Sequence, residues 1–232
     1  MALAELLQPL LDLLWPPRCV GCRQMGTWLC PECRAKIPLV DGKVCARCGV
    51  PCPPGQPCRQ CQVDPLHYID GIRSAAFFKN NPLRPAVHCL KYRGHKAVAS
   101  ILAEFLADTY HRHQLQAQVI VPVPLHASRY RERGYNQSDL LATALGRSLG
   151  LPVNRTSLVR IRPTRSQMEL TAVERRKNVA KAFDCIDTQL SGQTVLVIDD
   201  VCTTGSTLDA CAEALKQAGA RQVWGLTLAR AD

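Results

Sequence analysis

One stretch of the sequence reads Val195-Leu196-Val197-Ile198-Asp199-Asp200-Val201-Cys202-Thr203-Thr204-Gly205-Ser206-Thr207-Leu208. Its first four residues are apolar and mostly β-branched, which is typical of a buried parallel strand. The small residues after Cys202 offer hydroxyls, a glycine and the free N–H groups of a helix N-terminus, which together can hold a phosphate. We therefore expect Asp199 and Asp200 to emerge at the carboxyl end of a parallel strand, where open α/β sheets bind ligands.

The chemistry of this stretch fits a phosphorylated sugar. Two adjacent carboxylates suit a vicinal diol, and the loop suits a 5′-phosphate, so a ribose with free 2′ and 3′ hydroxyls spans both. The alternative is a strand with two solvated acids, followed by a Thr-capped helix. Capping explains one hydroxyl, but it requires neither the acid pair nor the full loop. The predicted ligand-binding residues are Asp199, Asp200, Thr203, Thr204, Gly205, Ser206 and Thr207.

The same pattern resembles the phosphoribosyl pyrophosphate (PRPP) motif of type I phosphoribosyltransferases. The resemblance implies an α/β fold, with a Rossmann-like parallel sheet, that binds PRPP together with Mg²⁺. It also implies that Asp199 and Asp200 act as the catalytic residues, holding the ribose hydroxyls directly or through the magnesium shell. The protein would contribute positioning and charge compensation while pyrophosphate leaves.

The cysteines point to metal. The chain has 232 residues, 13 of them cysteine, and a net charge of +10. Its apolar N-terminus carries two acids and lacks a basic region and a cleavage site, so it predicts neither a signal peptide nor a membrane span. Cysteines in a chain without an export signal are expected to bind metal in the cytoplasm. Two four-thiolate zinc sites would lower the net charge to roughly +6.

Eight of the cysteines form four CxxC pairs, which repeat as two halves. Two such pairs complete a closed tetrahedral Zn²⁺ site, which is structural and not catalytic. Sequential pairing gives one site from the first two pairs and one from the last two, whereas interleaved pairing is also compatible with the spacing. Cys52 stands outside the pattern as a spare thiol. The predicted metal ligands are Cys19, Cys22, Cys30, Cys33, Cys45, Cys48, Cys58 and Cys61.

Three regions follow from these patterns. Residues 1–17 are predicted to form a short N-terminal docking helix that ends at two prolines, with a membrane-surface contact as the alternative. Residues 18–62 form the double zinc ribbon. Helix and strand patterns alternate over residues 63–232, which indicates an α/β domain, and the resemblance to type I phosphoribosyltransferases implies that this domain is phosphoribosyltransferase-like.

A second segment, from Val121 to Gln137, contains two prolines and three arginines. The last of these arginines begins the run Arg133-Gly134-Tyr135-Asn136-Gln137. Together with the zinc ribbon and the acid-pair motif, it resembles the ComF family, also named after GntX, whose members are associated with DNA uptake and competence. The resemblance covers the chain from end to end. It also implies a flexible loop and following helix at Arg162, Thr164, Gln167, Arg175 and Asn178.

Within a PRPP site these segments have separate tasks. Backbone N–H groups of the turn at Val123 to His126 could face the pyrophosphate, and arginines beside it could neutralise that group. A solvated basic turn is the alternative for Arg129 and Arg131. The residues predicted on the pyrophosphate side are Val123, Pro124, Arg133, Gly134 and Asn136. The basic end of the helix at Lys91 is a further segment that could approach the ligand, and a plain helix end is its alternative.

The positive charge over residues 155–181, eight Lys or Arg against two Glu, suits pyrophosphate and also suits nucleic acid. Single-strand binders usually interleave aromatics with basic residues, and this segment has only Phe183 nearby, which favours pyrophosphate. Three functions therefore remain: a PRPP-dependent phosphoribosyltransferase with an unidentified acceptor, a non-catalytic nucleotide-sensing or single-stranded-DNA-handling module on the same fold, and an adaptor built on the zinc ribbons.

Overall fold

A central parallel sheet organises the molecule. The computed structural model describes residues 16–53, 57–92, 97–163, 174 and 178–231. The sheet contains β1 (Gly71–Phe77), β2 (Val119–Pro122), β5 (Thr194–Cys202) and β6 (Gln222–Arg230), in the order β1-β6-β5-β2. All of its pairings are parallel, as expected for strands that are buried along most of their length.

A second, smaller sheet lies beside the first. It consists of the short strands β3 (Leu158–Arg160) and β4 (Phe183–Cys185), which pair antiparallel. The helices are α1 (Pro31–Ala35), α2 (Arg59–Val63), α3 (Leu83–Tyr92), α4 (Val98–Arg112), α5 (Ala127–Arg133), α6 (Gln137–Leu149) and α7 (Ser206–Gln217). None of the helices in the described ranges is long and apolar enough to cross a membrane.

Helices cover both faces of the central sheet. Leu196 and Ile198 of β5 belong to the apolar cluster that contains the buried side chains of α3, α4 and α6. Val195 and Val197, which point the other way, belong to the cluster that contains the buried side chains of α7. This alternation follows from the two-residue period of a strand. The prediction of a Rossmann-like α/β fold with a parallel sheet is confirmed.

The acid pair lies where β5 loses one of its neighbours. β2 pairs with Val195 to Ile198 and ends at Pro122, which cannot donate a ladder hydrogen bond. β5 continues to Cys202, because β6 stays paired with it as far as Arg230. Asp199 and Asp200 are therefore still in the strand, and do not follow its end as the apolar pattern alone suggests. They lie beyond the end of β2, at the edge where open sheets bind ligands.

Candidate functional site

The two acids of the pair have different environments. Asp199 Oδ1 accepts hydrogen bonds from the Ser138 hydroxyl at 3.0 Å and from the backbone N–H of Asp200 at 2.9 Å. Asp200 is 3% exposed, and its Oδ1 lies 2.9 Å from Lys91 Nζ. Its other oxygen, Oδ2, is buried and has no hydrogen-bond partner among the described residues. A buried carboxylate oxygen without a partner is costly, so this atom is suited to accept a hydroxyl or a cation.

Burial and mutual repulsion dominate the electrostatics of this pair. Burial, together with the charge of Asp200, raises the pKa of Asp199 to about 7, while Lys91 and the hydrogen bonds to Asp199 act in the opposite direction. Burial lowers the pKa of Lys91, but the charges of Asp200 and Asp199 outweigh that effect, and its pKa is raised overall. Lys91 is therefore charged at neutral pH and compensates the carboxylates.

The loop after β5 leads into the N-terminus of α7. Gly205 is the N-cap at φ +85°, and it offers no side chain to cap the helix. The hydroxyls of Thr204 and Ser206 lie 2.7 Å apart. Asp199 lines one small cavity together with Thr203, Gly205, Ser206 and Thr207. The carboxylate of Asp199 and the N-terminus of α7 thus face the same space, as the binding of a phosphorylated sugar requires.

The loop between β5 and α7 is fixed by contacts with the core and by hydrogen bonds at the start of α7. A Cβ at Gly205 would lie 2.7 Å from Ile72 Cδ1 and 3.0 Å from Leu66 Cδ1, so the backbone packs directly on the core. Asp209, in the first turn of α7, accepts three backbone hydrogen bonds of 2.9 to 3.1 Å from residues 67–69. These bonds fix the start of α7 to the segment that precedes β1.

The turn after β2 is tied to the acid pair through the backbone. The Val123 N–H donates to the Ile198 carbonyl at 2.9 Å, and the Val123 carbonyl accepts from Asn136 Nδ2 at 3.0 Å. Asn136 also caps α6 through a 3.0 Å bond from the Ser138 N–H. Since Val123 uses both of its polar groups internally and Pro124 has no N–H, their contribution to ligand binding would be to shape the turn.

The basic residues of that turn lie on α5, which has no buried residue. Arg133 donates to Gln137 Oε1, and its guanidinium lies 5.2 Å from the centre of the Tyr92 ring. Gly134 ends α5 at φ +77°. The Tyr135 hydroxyl donates to the Leu90 carbonyl at 2.6 Å, next to Lys91. The Arg133–Gln137 segment therefore packs against the end of α3 that carries Lys91.

The predicted flexible loop falls mostly on residues outside the described ranges, namely Thr164, Gln167 and Arg175. Arg162 and Asn178 are described. Arg162 Nη2 donates to the carbonyls of Asn178 at 3.1 Å and Ala180 at 2.6 Å. These two bonds join the chain before the loop to the chain after it.

The eight paired cysteines form two separate clusters. Cys19, Cys22, Cys30 and Cys33 make up one, and Cys45, Cys48, Cys58 and Cys61 the other, with the sulfurs of each within 4.8 Å of one another. The pairing is sequential, and Cys52 lies outside both clusters. All 13 cysteines are free thiols. Four convergent sulfurs fit a structural tetrahedral Zn²⁺ site.

In each cluster the pKa of one thiol is lowered, whereas burial raises the pKa of others such as Cys33 and Cys48. Burial raises the pKa of Cys19, but N–H groups of Cys30, Cys22 and Gly21 point at its sulfur, and the net pKa falls to about 6. Cys45 repeats this arrangement in the second cluster, where its pKa also falls to about 6. The thiolate is the form that binds zinc, so each cluster has a sulfur prepared for the metal.

Comparisons with known proteins agree with this architecture. Residues 10–62 match the double zinc ribbon domain, and residues 137–231 match the phosphoribosyl transferase domain. The chain is 34% identical to DNA utilization protein YhgH of Escherichia coli (strain K12), over 91% of this chain and 96% of that protein. It is 31% identical to Competence protein F of Haemophilus influenzae, over 91% and 97% of the two chains. This chain belongs to the ComF family.

Further similarities agree in kind. Competence protein ComFC of Bacillus subtilis is 29% identical to this ComF-family protein over 87% of this chain and 84% of that protein. Among solved structures, purine phosphoribosyltransferase from Pyrococcus horikoshii matches with a TM-score of 0.35 and 19% identity, over 56% of this chain and 71% of that one. The family model over residues 137–231 assigns the phosphoribosyltransferase fold by itself.

Sequence patterns did not indicate every residue of the site in this ComF-family protein. Ser138 was not predicted, because a serine in the first turn of a helix carries no signal of a contact 61 positions away. Arg230 was not predicted either. It lies at the end of β6, is 3% exposed, and reaches both Cys48 and Thr203. Only the tertiary structure brings such residues to the site.

Proposed function

We propose that this protein binds PRPP, with Mg²⁺, over the small depression lined by Asp199 and the loop at residues 203–207, and that it transfers the phosphoribosyl group to an acceptor. One observation carries the proposal: a half-buried carboxylate, Asp199, and the N-terminus of α7 line the same cavity. The unpartnered Oδ2 of Asp200 beside it gives the site a further acceptor.

The residues have separate tasks in this proposal. Asp199 and Asp200 hold the 2′ and 3′ hydroxyls, and the hydroxyls and N–H groups of Thr203 to Thr207 hold the 5′-phosphate. Bound Mg²⁺ would neutralise the pyrophosphate as it departs, and carboxylate oxygens are ligands that it accepts. Lys91 and the arginines of α5 would add positive charge on the side where pyrophosphate leaves.

The reaction would break the bond between C1′ and the pyrophosphate oxygen, which leaves with the electron pair. An acceptor nucleophile would form the new bond to C1′. The relatives named for DNA utilization and competence support a role in the uptake or use of DNA, and thirteen free thiols support a reducing, cytoplasmic location.

Calorimetric titration with PRPP, with and without Mg²⁺, tests the proposal. We expect Mg²⁺-dependent binding to the wild type and its loss in the double variant Asp199→Asn with Asp200→Asn. Asp184→Asn is the matched control, since it replaces an aspartate by asparagine at an exposed position of β4. Equal binding by the wild type and the double variant, or none by the wild type, would refute the site.

A second candidate function is single-stranded DNA handling, and one observation favours it. Tyr92 and Tyr130 are 61% and 52% exposed, and both accompany the arginines of α5. Exposed aromatic rings beside cations can stack on bases, whereas Phe183 is buried and cannot. Three results would support this function. The protein should bind single-stranded DNA with an affinity that falls steeply as salt rises, the affinity should fall in Tyr92→Ala and in Tyr130→Ala, and PRPP should not change it.

A further inference from the structure

A single buried side chain connects the second cysteine cluster to the loop of the proposed phosphate site. Arg230 is the last residue of β6 and is 3% exposed. Its Nη1 donates to the backbone carbonyl of Cys48, a member of the second cluster. Its Nη2 donates to the backbone carbonyl of Thr203 at 3.4 Å. The guanidinium therefore holds two backbone segments that are 155 residues apart in sequence (203 minus 48).

The charge of Arg230 needs an explanation, because buried guanidinium groups are normally paired with acids. Among the residues that the structure describes, no carboxylate oxygen lies within 4.0 Å of it. The four sulfurs of the second cluster supply the missing charge when they bind zinc, since a four-thiolate zinc site carries a net charge of minus two. A loaded metal site would therefore offset the charge of this cation.

The first cluster is anchored in a different way. Arg34 follows Cys33 directly, pairs with Glu104 and lies 3.7 Å from Asp108, both on α4. Its guanidinium also lies 4.6 Å from the ring centre of Phe105. This arginine is about one third exposed and contacts a helix that does not carry the acid pair. The two halves of the repeated zinc unit therefore have different contacts, and the second half alone reaches the loop through an arginine in the described structure.

We propose that Arg230 is a positioning residue that transmits the order of the second zinc site to the loop Thr203–Thr207, so that zinc at this site strengthens binding of the phosphate ligand. The inference rests on the proposed function of that loop. Without zinc, the Cys48 knuckle loses its fixed geometry and Arg230 loses its counter-charge. The hydrogen bond from Arg230 to the Thr203 carbonyl is then lost as well. Binding of the ligand must then also order the loop, which lowers the affinity.

Arginine variants of the full-length, zinc-loaded protein test this coupling. Arg230→Met should weaken PRPP binding by about 10- to 100-fold, the effect expected when a hydrogen bond from a charged donor is lost. Arg34→Met is the matched control and should change binding by less than about twofold. Arg230→Lys keeps the charge without the two-pronged donor and should fall between wild type and Arg230→Met.

Zinc retention gives a readout that does not depend on activity. Because coupling between two sites is reciprocal, PRPP should raise the affinity for one of the two zinc ions in the wild type, measured by equilibrium competition with a chelator, but not in Arg230→Met. Cys61→Ser should weaken PRPP binding as Arg230→Met does, and the two changes together should weaken it no further.

The outcomes separate this inference from the proposed function. If the wild type binds PRPP, and Arg230→Met binds it within about twofold or adds its effect to that of Cys61→Ser, the coupling is refuted while the site stands. If the wild type does not bind PRPP, the proposed function and the coupling built on it both fail. If Arg230→Met does not fold, Arg230→Lys decides the matter through the same measurements.

Discussion

Removing the ammonium from the ion pair between Lys91 and Asp200 should cost several kcal/mol, unlike the same change at an exposed ion pair. Lys91→Met removes the ammonium and keeps an apolar side chain of similar length. The Asp200 side chain is 5% exposed, so its carboxylate would remain buried beside Asp199 without a counter-charge. Removing one partner of a buried pair costs about 3 to 5 kcal/mol. Lys91 is 24% exposed, which places the expected loss near the lower end, about 3 kcal/mol.

Urea denaturation measures this loss directly. A loss of about 3 kcal/mol corresponds to a fall in melting temperature of about 6 to 12 °C for a chain of this size. Lys216→Met is the matched control, since Lys216 pairs with Asp70 at 2.9 Å and both side chains are close to one third exposed. That pair should contribute at most about 1 kcal/mol. The difference between the two lysines isolates the effect of burial at the acid pair.

Two further measurements identify the cause of the loss. Adding Asp200→Asn to Lys91→Met removes the unpaired charge, so the double variant should be more stable than Lys91→Met alone by about 1 to 2 kcal/mol. Mg²⁺ can take the place of the ammonium, so it should stabilise Lys91→Met by about 2.7 kcal/mol at one hundred times its dissociation constant from this variant, and it should stabilise the wild type less at the same concentration. A loss no greater than that of Lys216→Met, or a double variant no more stable than the single one, would refute the reasoning.

Three further predictions concern the loop and the acid pair. The pKa of Asp199 is raised to about 7, from ~3.9 in the unfolded chain, so the folded state retains a proton that the unfolded state loses between these values. The free energy of unfolding should therefore fall as pH rises through this interval, and it should fall less in Asp199→Asn. Ligand binding that needs the carboxylate should strengthen as pH passes about 7. Parallel pH profiles of the free energy of unfolding for the two proteins would contradict the assignment. Gly205→Ala should cost about 1 to 3 kcal/mol in urea denaturation, because φ is +85° and the new Cβ would meet Ile72, and it should weaken PRPP binding in calorimetry; an unchanged affinity would count against the role of the loop. Asp209→Asn should cost about 2 kcal/mol, because it weakens the three bonds to residues 67–69, and a loss below about 0.5 kcal/mol would show that these bonds do not hold α7.

The sequence predicted those parts of the fold that repeat a local pattern. The apolar spacing of residues 137–149 and 206–217, with Gly150 and Gly219 beyond their C-terminal ends, predicts two amphipathic helices, and the structure has helices with these limits. The two four-cysteine clusters also follow from the spacing of CxxC pairs. Sequence spacing alone left interleaved pairing open, and the structure excludes it because the sulfurs converge sequentially.

The contacts that distinguish this site are not local. The end of β5 depends on how far β6 continues beside it, so the apolar run at Val195–Ile198 did not indicate that Asp199 and Asp200 stay in the strand. The pairing of Lys91 with Asp200, and of Ser138 with Asp199, joins three elements that are far apart in sequence. A periodic sequence pattern does not indicate contacts between distant elements, so these two contacts are visible only in the tertiary structure.

The central claim is that one ligand places its diol on the acid pair and its phosphate on the loop at residues 203–207. Calorimetric titration with ribose 5-phosphate and with 2-deoxyribose 5-phosphate, both with Mg²⁺, tests it most directly, because the two ligands differ by one hydroxyl. We predict that the wild type binds the ribose compound about tenfold more tightly and that Asp199→Asn with Asp200→Asn abolishes this preference. Equal affinities in the wild type, or a preference that survives in the double variant, would contradict the claim.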